Sequence, residues 1–375
     1  MSAPAEIDYG HLARALELAE RGGAAVSPNP KVGAVIVGAD GAVLGEGYHR
    51  VLGGPHAEVE AIRAAGGGEL VGATMYVSLE PCCHQGRTPP CTDAIRDARL
   101  ARVVVGSEDP AAHASGRGLG ILRDDGIEVV VPGGELAARA RLLNQPFRKH
   151  ARTGRPWVLF KSAMSLDGKV ATAAGDSKWI SSEQSRALVH RWRAEADAVA
   201  VGIGTATADD PQLTARLYDA VDRQPRRVVF DSLARLGLDS KLIGEAPSVP
   251  LSVVVSRAAP RAAIDALAHH GAEVIVATGE NSPARIRSAL DQLGASGLSS
   301  ILLEGGPRLA GAFWDADEID EVRLFIAPLL LGGRAARDPI ESEGVERIAD
   351  AVRPLAIESQ TVGADLLISA RLKEW

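Results

Sequence analysis

Short β-branched runs alternate with stretches of helical periodicity along nearly the whole chain, and no other feature narrows the fold as far. Residues 9–21 carry Leu12, Ala15, Leu16 and Ala19 at the spacing of one helix face. Residues 32–37 form a β-branched run, and 42–47 can return beside it. A helix is expected at 56–65, a strand at 74–79, a helix at 92–98, and strands at 102–106 and 127–131. The second part repeats this order. Its strands are expected at 157–160, 198–201, 227–231, 251–255, 273–276, 300–303 and 322–327, with helices at 182–195 and 262–270. Strands alternating with helices build layered α/β sheets. Between the parts lies NQPFRKHARTGRP (144–156), which gathers Arg148, Lys149, His150, Arg152 and Arg155 between prolines. Such a segment reads as a linker. The expected organisation is a domain over 1–145, a linker over 146–156 and a domain over 157–375, in keeping with a length of 375 residues.

Composition excludes several classes of protein. With 46% apolar and 24% charged residues, the chain has enough apolar surface to bury and is not a disordered polymer. Forty-eight acidic against 41 basic side chains leave a formal charge of −7, which argues against a nucleic-acid partner. No apolar run approaches the roughly 18 residues of a membrane span. Residues 1–8 lack a basic-then-apolar leader pattern, so a cytoplasmic protein is expected. The three cysteines, Cys82, Cys83 and Cys91, fall within ten residues and cannot staple a chain of this length. Their clustering points to chemistry.

That chemistry is carried by His56-Ala57-Glu58, then Pro81-Cys82, then Cys91. One imidazole and two thiolates suit a zinc ion, with a fourth position open for water. Glu58, two residues beyond the histidine, can shuttle a proton between that water and a leaving amine without binding the metal. His-x-Glu followed by Pro-Cys and a second Cys is the pattern of zinc nucleobase deaminases, although eight residues separate the cysteines here instead of two. Pro81 and Pro90 each precede a cysteine and fit helix starts, where the positive end of the dipole favours a thiolate. A structural zinc site would need a fourth protein ligand, which His84 or Cys83 could supply, but it would have no use for Glu58. A zinc-stapled binding protein without turnover is therefore a competing reading. A tRNA or DNA base deaminase is another, and it would call for a basic surface.

The stretch Leu79-Glu80-Pro81-Cys82-Cys83-His84-Gln85-Gly86-Arg87-Thr88-Pro89-Pro90-Cys91 resembles the deaminase domain of bifunctional riboflavin-biosynthesis deaminase–reductases. Pro28-Asn29-Pro30-x-Val32-Gly33 and Gly45-x-Gly47-x-His49 match the same family. The resemblance implies a three-layer α/β/α, cytidine-deaminase-like N-terminal domain. It implies one zinc on His56, Cys82 and Cys91, and Glu58 as the proton shuttle. It further implies that Asn29, His49, His84, Arg87 and Asp109 contact the pyrimidine or its ribose phosphate. Where relatives carry Asp-Pro-Asn-Pro, this chain has Asp109-Pro110-Ala111-Ala112, so one asparagine contact is missing.

The second part has glycine turns after strands, at Gly202-Ile203-Gly204-Thr205 and Glu304-Gly305-Gly306-Pro307. Neither forms a GxGxxG fingerprint, and alone each is weak. With the segment from Lys161 through Ser165 to Lys169, with Ser177-x-Trp179-Ile180-Ser181, and with Ala208-Asp209-Asp210-Pro211-x-Leu213-Thr214-x-Arg216, they resemble the reductase domain of the same family. That implies a dihydrofolate-reductase-like α/β fold and NADPH as hydride donor. The cofactor would meet Ala163, Trp179, Thr205, Asp209, Ser232 and the run Gly306, Pro307, Arg308, Leu309, Ala310, Gly311 and Ala312. The substrate would meet Ser177, Arg193, Leu213, Arg216 and Glu304, the two arginines holding its phosphate as bidentate forks. Lys161, Asp209 and Glu304 are the polar candidates for catalysis. The implied partners are phosphorylated ribosyl-pyrimidines and a second copy of the chain in a homo-oligomer. A deaminase whose second domain only binds ligand is the nearest alternative.

Overall fold

The computed structural model describes residues 8–67, 70–112, 114–217 and 223–375. Residues 1–7, on which the reading of the N-terminus rests, lie outside them. The chain divides into two units, one running to Thr153 and including Trp375, the other spanning Gly154–Glu374.

In the first unit the order is α1 (Tyr9–Glu20), β1 (Gly33–Val37), β2 (Val43–Tyr48), α2 (Ala57–Ala64), β3 (Thr74–Val77), α3 (Cys91–Asp97), β4 (Arg102–Val105), α4 (Arg117–Asp124), β5 (Glu128–Val130), α5 (Glu135–Leu143) and α6 (Gln145–Thr153). Five described strands form a sheet in the order β2-β1-β3-β4-β5. β1 is antiparallel to β2 and β3, while β3, β4 and β5 are parallel. Side chains alternate between faces. Ala34, Ile36, Met75, Val77, Val103 and Val105 bury against Ala57 and Ala61 of α2, Ile95 of α3 and Leu119 and Leu122 of α4. Val35, Val37, Tyr76 and Val104 bury against Leu12, Ala15 and Leu18 of α1. A sheet apolar on both faces and covered on both is the expected three-layer arrangement.

Two glycines set how closely α2 lies on this sheet. A Cβ on Gly47 would sit 2.4 Å from the Ala61 nitrogen and 2.5 Å from the Ala57 oxygen, and one on Gly45 would sit 2.3 Å from the Ala61 oxygen. The helix that begins just after His56 therefore rests on bare strand backbone.

In the second unit the order is β6 (Trp157–Ser165), α7 (Glu183–Glu195), β7 (Ala198–Gly202), α8 (Ile203–Asp209), β8 (Arg226–Phe230), α9 (Lys241–Gly244), β9 (Leu251–Ser256), α10 (Arg261–His269), β10 (Glu273–Ala277), α11 (Ser282–Ala295), β11 (Ser300–Leu303), α12 (Pro307–Asp315), β12 (Glu321–Ala327), β13 (Ala356–Val362) and β14 (Asp365–Arg371). Nine described strands form a sheet in the order β10-β9-β8-β7-β11-β6-β12-β14-β13. It is parallel from β10 to β12, and an antiparallel C-terminal hairpin closes that edge. One face packs on Leu242, Leu267 and Trp192, the other on Ile286, Leu290, Leu293, Ala310 and Phe313.

Four expectations need correction. The segment expected as a linker is mostly the helix α6, in which Gln145, Arg148 and Lys149 are buried. Long basic side chains can bury their aliphatic stems in a helix while their heads find partners. Asn144, just before it, is buried and exchanges side-chain bonds with the Lys31 backbone, donating to its oxygen at 2.9 Å and accepting from its nitrogen at 2.8 Å. Pro81 starts no helix, and Cys82 sits in a loop; of these two prolines, Pro90 caps a helix, α3. β6 continues to Ser165 because it pairs with β12 after β11 has ended. The hairpin β13–β14 adds two strands, one of them the solvent-exposed strand β13, that periodicity did not reveal. No described helix is long and apolar enough to cross a membrane.

Candidate functional sites

The first site forms where α2, the loop after β3 and α3 meet. His56 is the residue before α2 and holds an extended backbone. Cys91 opens α3. The ligand-capable atoms of His56, Cys82 and Cys91 all lie within 4.8 Å of one another. His56 Nδ1 lies 3.3 Å from Cys91 Sγ and 3.5 Å from Cys82 Sγ, while its Nε2 faces Thr88 Oγ1 at 3.4 Å. The Cys91 backbone N–H donates to Cys82 Sγ at 3.4 Å. A hydrogen bond from the Cys91 thiol, followed by the contact with His56, pulls Cys82 down to about 4; the same shared proton, with burial, pushes Cys91 up. Cys83 is half-buried outside this cluster.

Glu58 sits in the first turn of α2 with 3% of its surface exposed. Its Oε2 is buried without a hydrogen-bond partner. Burial, then the Cys82 charge, pushes this carboxyl up to about 7. His49 is buried alongside, its ring 5.2 Å from that of His56. Its Nδ1 donates to the Pro55 oxygen at 2.9 Å, so Nε2 is left to accept from Asn29 Nδ2 at 3.2 Å. The structure thus brings Asn29, His49, His56, Glu58, Cys82 and Cys91 together. His84 and Arg87 are exposed on the loop between Cys82 and Cys91. Asp109 follows β4, and its Oδ1 accepts the Ala111 N–H at 2.8 Å.

Glu80 was not singled out from sequence. It is 5% exposed, and its carboxylate accepts the N–H groups of Asp109, Gly116 and Gly118 at 3.0 Å each, and of Leu119 at 3.4 Å. One residue before Pro81-Cys82, it ties the cysteine loop to the Asp109 loop and to the start of α4. The signal that could have exposed it is a carboxylate at the end of an apolar strand, which must find partners to be buried.

The second site is a cavity of about 1600 Å³ at the C-terminal ends of the parallel strands in the second unit. Lys161, Ala163, Ser177, Trp179, Arg193, Thr205, Asp209, Leu213, Arg216, Ser232 and Glu304 all line it, as do Gly306, Pro307, Arg308, Leu309 and Ala312. Ala310 and Gly311 do not. Ala310 is fully buried in the core, and a Cβ on Gly311 would sit 1.8 Å from the Glu341 oxygen. Only one face of α12 looks into the cavity, so a continuous run of contacts is not possible.

Arg193 and Glu304 form a bidentate pair at 2.6 and 2.9 Å, with side chains 13% and 10% exposed. Burial alone would raise the Glu304 carboxyl, but Arg193 and Lys161 more than offset it and hold the group below its ordinary value. Burial lowers the Lys161 ammonium, with Glu304 opposing. Asp209 pairs with Lys178 at 2.7 Å. The Trp179 ring is 70% exposed and lies under the Arg186 guanidinium at 4.6 Å.

Two family models match the chain. The cytidine and deoxycytidylate deaminase zinc-binding region matches residues 6–107, and the RibD C-terminal domain matches residues 156–368. The riboflavin biosynthesis protein RibD of Actinobacillus pleuropneumoniae is 39% identical over 96% of this chain and 94% of its own length. The protein of that name from Escherichia coli K12 is 40% identical over 96% and 98%. The structure of Acinetobacter baumannii RibD (form 1) superposes with a TM-score of 0.85 at 36% identity, covering 97% of this chain and 98% of that one. A diaminohydroxyphosphoribosylaminopyrimidine deaminase/5-amino-6-(5-phosphoribosylamino)uracil reductase from Thermotoga maritima superposes with a TM-score of 0.82 at 35% identity, covering 97% and 98%.

Proposed function

The chain belongs to the RibD family of bifunctional riboflavin-biosynthesis deaminase–reductases, and from that premise we infer which residues carry its two reactions and on what substrate. The substrate is 2,5-diamino-6-ribosylamino-4(3H)-pyrimidinone 5′-phosphate. The first unit replaces its amino group with a carbonyl, and the second reduces the resulting 5-amino-6-(5-phosphoribosylamino)uracil to the ribitylamino product.

The observation that carries the first reaction is the partnerless, buried Oε2 of Glu58 beside a triad of one imidazole and two thiols. One nitrogen and two sulfur donors fit zinc, and three protein ligands suit a catalytic rather than a structural site. His56, Cys82 and Cys91 would hold the ion, which when bound supplies a water acidic enough to attack at neutral pH. Glu58 would take a proton at Oε2 and return it to the departing amine. His49, fixed as an acceptor toward Asn29, orders that amide for the pyrimidine edge. His84, Arg87 and Asp109 would complete the substrate contacts.

The second cavity would take NADPH, which supplies the hydride. Ala163, Trp179, Thr205, Asp209, Ser232 and residues Gly306, Pro307, Arg308 and Leu309 with Ala312 would hold the cofactor, the Gly306 and Arg308 backbone N–H groups at the start of α12 being available to a phosphate. Lys161 and Glu304 line the same cavity and would orient the oxygens of the sugar. Ser177, Leu213 and Arg216 would fix the substrate, while Arg193 holds Glu304 in place. The three free cysteines fit a reducing compartment, and the cytoplasm is part of the same proposal.

The test is to incubate zinc-loaded protein with the diaminopyrimidine substrate, with and without NADPH, and follow products by mass spectrometry. An amine-to-carbonyl mass change without NADPH, then a gain of two hydrogens only with NADPH, is expected. A stop at the deaminated product would demote the second cavity to a binding site. No change at all would overturn the zinc-hydroxide reading of the first.

A further inference from the structure

Residue type alone made Arg193 and Arg216 equivalent forks for a phosphate, but the structure gives them different electrostatic states. Arg193 is committed: Nε and Nη2 donate to the Glu304 carboxylate, and Nη1 donates to the Thr214 oxygen at 3.1 Å. Arg216 is exposed, and among the described residues it makes no ion pair. Its Nη1 donates to Thr214 Oγ1 at 3.1 Å and Gln212 Oε1 at 3.4 Å, and its Nη2 faces His190 Nε2 at 3.3 Å. An arginine held by neutral acceptors keeps its charge for an incoming dianion, whereas one paired to a carboxylate has largely spent it.

The neutral partner that matters is His190, which lies half-buried in the cavity wall one turn before Arg193 on α7. It touches Arg216 twice. Its Nδ1 lies 3.2 Å from the Arg216 backbone nitrogen, and its Nε2 faces the guanidinium. A neutral imidazole has one lone pair for hydrogen bonding, on one nitrogen or the other. One nitrogen at a time can accept: Nδ1 from the Arg216 backbone N–H, which leaves an N–H on Nε2 facing the guanidinium, or Nε2 from the guanidinium, which leaves an N–H on Nδ1. Burial, with Arg193 and Arg216 adjacent, lowers the histidine's affinity for a proton and so keeps the lone pair available.

The helix that carries His190 is held firmly. Ser182 caps it by accepting from the Ser185 nitrogen, and the Ser182 backbone N–H and Ser185 hydroxyl both donate to the buried Asp365 carboxylate, at 2.7 and 2.6 Å. Trp192 stacks on Phe325 in the core. Arg216, by contrast, belongs to a segment without regular secondary structure. A rigid helix thus fixes a loop arginine through one imidazole.

We infer that His190 is a positioning residue of the reductase: it holds Arg216 at the cavity wall so that the guanidinium meets the phosphate monoester of the substrate. The inference rests on reading this cavity as the reductase site. His190 need not touch the reacting atoms, so its removal should weaken recognition of the phosphate and leave the hydride step alone.

The experiment compares full-length wild-type protein, His190→Ala, His190→Gln, Arg216→Ala and the His190→Ala/Arg216→Ala double variant. It measures steady-state reduction of 5-amino-6-(5-phosphoribosylamino)uracil at saturating NADPH. It also measures the inhibition constant of the dephosphorylated product nucleoside and the KM for NADPH. His190→Ala should raise the substrate KM roughly tenfold, with kcat within twofold. The nucleoside inhibition constant and the NADPH KM should not move, which also shows that the cavity has folded. His190→Gln, which keeps a side-chain acceptor, should recover most of the loss. In the Arg216→Ala background, His190→Ala should add nothing. Equal weakening of substrate and nucleoside, a fall in kcat at unchanged KM, or independent multiplying effects in the double variant would overturn the inference. Wild-type protein that fails to reduce the substrate would overturn the reductase reading and this inference with it. Wild-type turnover with an unchanged His190→Ala would overturn this inference alone.

Discussion

Replacing Gly47 with alanine adds one methyl group on the strand that supports α2. That Cβ would lie 2.4 Å from the Ala61 nitrogen, 2.5 Å from the Ala57 oxygen and 2.7 Å from the Glu60 Cβ. Two of those three atoms are backbone, so no side-chain rotation relieves the overlap. Ordinary contact needs roughly 1 Å more, so helix and strand must part by about that much. Overpacking of this kind costs about 1–3 kcal/mol, which a folded unit survives. The consequence for chemistry is larger, because His56 precedes that helix and Glu58 lies in its first turn. A displacement of about 1 Å at a positioned catalytic group can cost on the order of 100-fold in rate. Gly47→Ala should therefore lower the deamination kcat by one to two orders of magnitude while reduction of pre-deaminated substrate stays normal. Bound zinc, measured by mass spectrometry, separates a shifted Glu58 from a lost His56 ligand. Deamination within twofold of wild type would mean that β2, which among the described residues is an edge strand paired with β1 alone, yields instead of the helix. The close-approach argument would then be wrong.

Glu58→Gln should retain zinc and reduce pre-deaminated substrate normally, yet lose deamination by about 100-fold or more; a wild-type deamination rate would remove Glu58 from the mechanism. Chelation should abolish deamination and lower the melting temperature of the first unit without touching reductase kcat, whereas a loss of both activities would contradict two independent sites. Cys83→Ser should leave zinc content unchanged, because the cysteine lies outside the ligand cluster; a fall in bound metal would make it a ligand. Glu304→Gln leaves Arg193 and Lys161 without their shared countercharge and should cost about 3–5 kcal/mol in the second unit, read by denaturant unfolding. Because Arg193 and Lys161 hold the Glu304 carboxyl below its ordinary value, its contribution is present above the ordinary carboxylate range and fades as pH falls through the lowered value. Glu304→Gln should accordingly flatten the acid limb of stability against pH, and an unchanged limb would show that the pair contributes nothing there.

The metal-binding pattern was legible because its parts are local. His56 and Glu58 are two residues apart at a helix start, and Cys82 and Cys91 bracket one loop, so each half is a recognisable motif, although only the fold carries His56 across 26 and 35 residues to the two thiols. The alternation of strand and helix was legible for the same reason, since the core strands are apolar runs. What stayed hidden has no motif of its own and depends on partners far along the chain. Glu80 finds its amide donors 29 to 39 residues away, and His190 meets Arg216 across 26. The helix α6 reads as a linker because its composition is that of one, and only its packing shows Arg148 and Lys149 buried.

By itself, the sequence determined the two α/β units, their order, the zinc-type donor set and the family to which the chain belongs, because these rest on residue types repeated at short, fixed spacings. Tertiary structure alone decided which of two similar arginines is paired to a carboxylate, which face of α12 meets the cavity and how tightly α2 is pressed onto β2. Each of these depends on what a side chain meets across the fold, and burial sets the strength of that encounter: Arg193 and Arg216 are the same residue type, but one lies against a buried carboxylate and the other among neutral acceptors at the surface.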